Sequence, residues 1–328
     1  MMRWLLITAS LLATAAPAIA NDSTATTGAG GLVLEKTDSI AMASEDLYVS
    51  VDQIRIKYVF RNLTGVPLER IVAFPMPARD LTTENFSDVA FPSNFRTSVE
   101  GKPVKATLER KAMANGRDQT ALLEKLGIPV APGSVSDLTR LMDKLPSAQK
   151  AQLIAAGLAG TEEWDDDGKG MKKHLIALWT VQDRYWWKQV FPAARNLKVE
   201  HSYIPGAGGS VGTVLAYRDL RGTEDGLRVK ALYCADSTFI AALDRLKRDP
   251  KNDAGIPDRR IDYVLTTGSN WAKPIGDFRL VVDKGKPRNL VSFCETGIRK
   301  ISPTQFEVRH RNWRPTRDLN VLIVEPLN

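Results

Sequence analysis

Cysteine and histidine are scarce in this chain: 328 residues carry 2 Cys and 3 His. That scarcity excludes a small disulfide-dense scaffold and dense zinc chemistry. Beyond the first twenty residues no apolar run approaches the roughly 20 residues needed to span a bilayer as a helix. No long internal repeat and no low-complexity linker is present. What the chain does have is ordinary for a protein with a real core, 43% hydrophobic and 25% charged residues, which excludes wholesale disorder and collagen-like sequence. At roughly 150 residues per domain, the length suggests about two domains.

The N-terminus is the most informative segment. Arg3 precedes an apolar run over 4–16, then Pro17 and Ala18-Ile19-Ala20. A charged start, a short apolar stretch and an A-x-A site predict a secretory signal peptide over 1–20, cleaved after Ala20. No Cys follows Ala20, so a lipid anchor is not indicated. The expectation is an exported soluble chain, residues 21–328, periplasmic or secreted and without a transmembrane segment. In an oxidising compartment the two cysteines, Cys234 and Cys294, are expected to form a structural disulfide. Both stand in apolar surroundings that read as strands, Val229-Lys230-Ala231-Leu232-Tyr233-Cys234 and Leu290-Val291-Ser292-Phe293-Cys294. No C-x-x-C spacing marks them as a redox pair.

Charge is uneven along the chain. Residues 21–217 hold 23 basic and 23 acidic side chains, whereas 218–328 hold 21 basic and 15 acidic. The densest basic stretch is Arg309-His310-Arg311-Asn312-Trp313-Arg314-Pro315-Thr316-Arg317. Cations around a Trp suit an anionic envelope component or another exported protein, and export argues against nucleic acid. The blander alternative, and the more common one, is a solvated strand edge kept soluble by Arg and Lys.

Hydrophobic periodicity divides the chain. Up to about residue 108 the pattern has period two: Ile54, Ile56 and Tyr58 share one strand face, with Arg55 and Lys57 on the other. Asn62-Leu63-Thr64-Gly65 carries turn chemistry. Over about 111–179 the pattern turns helical, with stops at Gly127 and near Gly157 and a Ser cap before Asp137. Strand character returns at 180 and is interrupted by an amphipathic helix over 239–247. Residues 213–217 read as one further strand. These readings predict a mainly β chain with a helical insertion, forming two antiparallel β-sandwich-like units. The expected domains are 21–217, with the insertion at about 111–179, and 218–328.

Several residues carry a family likeness. Asn21-Asp22-Ser23-Thr24-Ala25, Gly30-Gly31-Leu32-Val33-Leu34, Ser44-Glu45-Asp46-Leu47, Val291-Ser292-Phe293-Cys294 and Pro315-Thr316-Arg317-Asp318-Leu319 resemble a family of exported bacterial proteins, domain of unknown function 4424. The likeness covers nearly all of 21–328 and implies no particular chemistry. Phe60-Arg61-Asn62, Pro67-Leu68-Glu69 and Phe74-Pro75-Met76-Pro77 also resemble elements of the vault protein inter-alpha-trypsin domain, which implies a β-sandwich.

Motifs suggestive of chemistry do not close. Gly208-Gly209-Ser210-Val211-Gly212 matches G-x-S-x-G, but a nucleophile elbow needs a helix after the Ser. Gly206-Ala207-Gly208 lacks the third glycine of a dinucleotide loop. Asp165-Asp166-Asp167-Gly168-Lys169-Gly170 hints at a calcium loop, yet either register places Ile176 or His174 where the bidentate Glu belongs. His174, His201 and His310 share no metal-ligand spacing. The reading is therefore no catalytic, cofactor or metal residues. A non-catalytic binding role is expected, with Trp186, Trp187, Arg309, Arg311, Trp313 and Arg314 as candidate interaction surface. The alternative is a serine hydrolase using Ser210 with His201 or His310.

Overall fold

Strand Ile54–Asn62 alternates along its whole length, burying Ile54, Ile56, Tyr58 and Phe60 and leaving Arg55 and Lys57 exposed. Wound as a helix, the same residues would put charge into the core, so the segment extends. In the computed structural model, residues 22–28, 31–81, 91–166 and 168–327 are described. The predicted leader 1–20, Asn21, Gly30 and Asp167 lie outside them.

Strand Ile54–Asn62 sits inside an eight-stranded sheet. The order across it is Arg299–Lys300, Gln305–Trp313, Ile275–Asp283, Ile40–Val49, Ile54–Asn62, Asn196–Ile204, Ser93–Val99 and Lys102–Val104. A seven-stranded sheet is built around Thr180–Phe191, which pairs with Leu68–Pro75 and Arg79–Asp80 on one side and with Thr107–Ala114 on the other. A four-stranded sheet runs Gly208–Ser210, Asp258–Tyr263, Leu319–Val324 and Leu290–Phe293. The protein is thus mainly β, in packed and largely antiparallel layers.

One core joins the three sheets. Ile56, Phe60, Leu280 and Val282 of the large sheet pack with Phe74 and Trp187 of the second and with Ile261, Tyr263 and Val321 of the third. The large sheet therefore has one covered face, and its other face is left to solvent. Behind the four-stranded sheet, Leu322 and Val324 pack on Val229 and on Phe239 and Leu243, from helices Glu224–Leu232 and Ser237–Lys247. Asn62 fixes the predicted turn. Its Nδ2 donates to the carbonyls of Val66 and Phe191, and its Oδ1 accepts from the Thr64 N–H and hydroxyl.

The segment expected to be helical contains helices Thr120–Lys125, Val135–Asp143 and Ser147–Ala155. Gly127 and Gly157 end the first and last in the left-handed region, with the Ile128 and Leu158 N–H groups returning to Leu123 and Leu153. Ser134 supplies the cap of the middle one. The segment also holds strands the helical reading did not include, Ala159–Trp164 paired with Lys172–Ala177, and the second half of Thr107–Ala114. Two further strand expectations are corrected. Residues 229–232 are the end of helix Glu224–Leu232, and 214–216 form a short 3₁₀ turn. Short apolar runs fit a helix face as well as a strand, and packing decided these two.

Cys234 follows that helix in the left-handed region (φ 50°), while the Ala235 N–H bonds the Lys230 carbonyl. This helix-ending turn aims Cys234 at Cys294, and the two form a disulfide with Cα atoms 5.1 Å apart. Its 60-residue separation makes it worth roughly 4 kcal/mol in the chain-entropy treatment.

The large sheet draws strands from both sides of residue 217, and it does so through one parallel pairing. Asp277 through Val282 run beside Ser44 through Val49. The register of Ile40–Val49 against Ile54–Asn62 shifts between Met42 and Ser44, so Ala43 bulges there. Gly276 meets that bulge, and a Cβ on it would stand 2.5 Å from the Ala43 carbonyl oxygen. Gly276→Ala is expected to destabilise the protein by about 1–3 kcal/mol through overpacking. A lower urea midpoint with unchanged slope checks it; an unmoved midpoint means the two strands can part without cost.

Candidate binding face

The solvent face of the large sheet is lined by side chains that alternate with the core. Register aligns them in rows. Lys57 lies opposite Asp46 on one side and Glu200 on the other, Asp46 opposite Arg279, and Arg279 opposite Arg309. In the next row Arg55 lies opposite Tyr48 and Ser202, and Ser202 opposite Arg96. Cations from sequence positions more than 200 residues apart, Lys57 and Arg279 among them, thereby share one surface.

At one end of this face the charges are paired. Glu307, buried at its strand position, takes bonds from Arg309 (3.0 Å), Arg279 (2.8 Å) and Arg299 (2.5 Å). The bonds from Arg309, Arg279 and Arg299, in that order, hold the Glu307 carboxyl down to about 2. Charge-assisted bonds to the ionised form have this effect. Arg279 also reaches Asp46 at 3.1 Å. Arg311 lies 3.5 Å from Asp277, both strongly exposed.

At the other end lies a cleft of about 600 Å³, whose lining includes Arg55, Lys57, Arg96, Lys105, Phe95 and Tyr185. A smaller hollow of about 320 Å³ between Tyr48, Arg55, Arg279 and Gln305 links the two ends. Phe95 and Tyr185 stack with ring centroids 4.2 Å apart. Beneath them the core is polar at one point, where His201 Nε2 meets the fully buried Asp22 carboxylate at 3.1 Å. Burial pushes the Asp22 carboxyl above its ordinary range, against the opposing pull of His201. Tyr58, Phe74, Phe95 and Trp187 surround the imidazole.

The candidate surface residues named from sequence are not all on this face. Arg309 and Arg311 are on it and exposed. Trp313 is half-buried: Asn312 enters the left-handed region (φ 49°), and Trp313 packs on Phe278 and His310. Arg314 bonds the Ser269 carbonyl at the large sheet's margin. Trp187 is only 3% exposed and belongs to the central core, so it offers nothing to a partner. Trp186 faces the other way and packs half-buried beside Ala25, Leu32 and Ala73. Adjacent strand residues point to opposite faces, and here both faces are covered.

Among the described residues no hydrogen bond joins the histidines to one another or to Ser210. His174 Nδ1 bonds Asp143 (2.8 Å) and its ring stacks on Trp164. His310 Nε2 bonds Glu295 (2.9 Å). Ser210 ends strand Gly208–Ser210, its N–H donating to Asp258, and its buried hydroxyl has no hydrogen-bond partner among the described residues. Asp165, at the acidic loop, accepts from the N–H groups of Gly168, Lys169 and Gly170, so its oxygens hold the turn. The residues sequence reasoning missed are Lys57, Arg55, Arg96, Lys105 and Glu307. Alternation marked Arg55 and Lys57 as outward, but nothing in the sequence paired them with Arg279.

A mainly β protein of packed sheets, carrying one charged sheet face, is the class these features define. The domain of unknown function family DUF4424 matches residues 20–322, so the chain belongs to that family. Among solved structures, one from Legionella pneumophila, provisionally described as a nutrient binding protein, is similar with 15% identity and a TM-score of 0.43. The match covers 92% of this chain and 72% of that one. No curated protein matches the sequence.

The Glu307 cluster sets an acid limit. Its folded-state value of about 2 lies below the ordinary 4.5, so its contribution is complete above the ordinary value and is lost as pH falls toward 2. Thermal melts from pH 6 to pH 2.5 are expected to show Glu307→Gln losing less stability on acidification than wild type. Parallel curves would mean the three arginines do not act through this carboxylate.

Proposed function

We propose that this chain is an exported, non-catalytic binding protein whose charged sheet face holds an anionic envelope component or an acidic exported partner. The observation that carries the reading is the convergence of Arg55, Lys57, Arg279, Arg309 and Arg311 on one solvent face. A cationic surface attracts anionic partners over a Debye length and orients them before contact. The sequence of 1–20 and the Cys234–Cys294 disulfide support export. Among the described residues no helix is long and apolar enough to cross a membrane. A binding rather than catalytic role is supported by the three histidines, each hydrogen-bonded to its own carboxylate and none, among the described residues, to Ser210.

Two measurements test the reading. Protein recovered after secretion is expected to begin at Asn21 by N-terminal sequencing; an intact leader on the mature protein removes the export premise. Envelope fractions are expected to retain wild-type protein and to release it as salt rises. Arg309→Glu combined with Arg311→Glu is expected to cut retention by about tenfold, a change that corresponds to roughly 1.4 kcal/mol. Equal retention of wild type and the double variant, with or without salt, rules the face out.

A further inference from the structure

Arg55, Lys57, Arg96 and Lys105, all exposed, line the 600 Å³ cleft with one carboxylate, Glu200. Its volume falls within the roughly 300–1,000 Å³ of small-molecule sites. Among the described residues these four cations take part in no ion pair; Arg55 lies instead over the Tyr48 ring, 4.3 Å from its centroid. The contrast with the other end of the face is sharp, since Arg279, Arg299 and Arg309 are all bound to Glu307. Four cations outnumber the one carboxylate in the lining and repel on balance, and an arriving anion relieves that repulsion.

Two other observations, independent of charge, concern the same cleft. Half-buried Phe95 and Tyr185 are stacked nearly parallel, 16° between planes, and offer aromatic surface. Thr97 and His201 are buried cross-strand neighbours in its lining. Thr97 Oγ1 and His201 Nδ1 are both buried and have no hydrogen-bond partner among the described residues. Buried polar atoms are nearly always satisfied, so two orphans side by side call for an explanation. A ligand carrying polar groups supplies one.

We propose that this cleft is a binding site for a small molecule that joins an oxyanion, carboxylate or phosphate, to an aromatic or apolar body. The unpaired cations take the oxyanion, the Phe95–Tyr185 pair takes the body, and Thr97 and His201 are the polar groups available deeper in. The cleft shares Arg55 and Lys57 with the charged face proposed above, and it is tested independently of the Arg309 and Arg311 end of that face.

The test is calorimetric titration of the chain from residue 21 to 328 with four probes: phenyl phosphate, inorganic phosphate, benzyl alcohol and dihexanoyl phosphatidylglycerol. Phenyl phosphate is expected to bind saturably, and inorganic phosphate and benzyl alcohol, each lacking one half, at least about tenfold more weakly. Tighter binding of dihexanoyl phosphatidylglycerol than of phenyl phosphate assigns the oxyanion to a lipid headgroup; the reverse order assigns it to a free small molecule. Lys57→Gln with Arg96→Gln is expected to weaken the anionic probes by about tenfold. Tyr185→Ala is expected to weaken phenyl phosphate while leaving inorganic phosphate unchanged. Arg309→Gln with Arg311→Gln is expected to bind all four as wild type does, which separates this site from the envelope contact. Unchanged melting curves establish that the variants are folded. The proposal fails if neither anionic amphiphile binds, if inorganic phosphate binds as well as phenyl phosphate, or if the Lys57 and Arg96 changes leave binding intact.

Discussion

Between Asp277–Ser44 and Val282–Val49 two strands from opposite ends of the chain run side by side in parallel. That pairing makes one eight-stranded sheet out of segments that would otherwise form two smaller ones. Parallel neighbours require a long crossover, and here the intervening chain supplies five of the seven strands of the second sheet, the helical segment and two of the four strands of the third sheet. The close approach also depends on Gly276, which has no side chain to collide with the Ala43 carbonyl. Once the sheet exists, both smaller sheets cover the same face, because only that face is apolar. The opposite face keeps its charge, and the binding surface follows from that asymmetry.

The covered face is not wholly apolar, and its polar groups are specific. The Tyr58 and Tyr263 hydroxyls meet at 3.0 Å across two sheets, and Tyr263 also reaches Glu45. Both phenols are pushed well above their ordinary range, first by burial and then by neighbouring negative or phenolic groups. Asp22 and His201 form a second buried pair, and Asp318 a third anchor, accepting from the Leu265 and Thr266 N–H groups. Breaking one partner of a buried pair strands the other, so such groups specify one arrangement of layers more than they add stability. Several residues that carry the family likeness, Asp22, Glu45, Asp46, Cys294 and Asp318, have these structural contacts.

How much was legible in advance depended on the range of the interaction. The alternation in Ile54–Asn62, the turn at Asn62 and the helix ends at Gly127 and Gly157 rest on neighbours within a few residues, and they were readable. Residues 214–216 and 229–232 were misread, since a four- or five-residue apolar run satisfies either period. Trp187 looked like a candidate contact because its neighbours are aromatic and charged. Its burial depends on joining the core that holds Tyr58 and Phe74, both more than a hundred residues away in sequence, and on packing edge-on against His201.

Local chemistry by itself determined many of the extended and helical segments, the turns at Asn62, Gly127 and Gly157, the pairing of the two cysteines, and the inward or outward sense of residues in strands that alternate cleanly, such as Ile54–Asn62. Periodicity and backbone preference act over one or two turns, so a linear reading captures them. The tertiary structure alone decided that Lys57 and Arg55 share a face with Arg279 and Arg309, that Glu307 gathers three arginines, and that four cations ring a cleft with no ion pair among the described residues. Electrostatic interaction depends on distance in space, and strand register and sheet order set that distance.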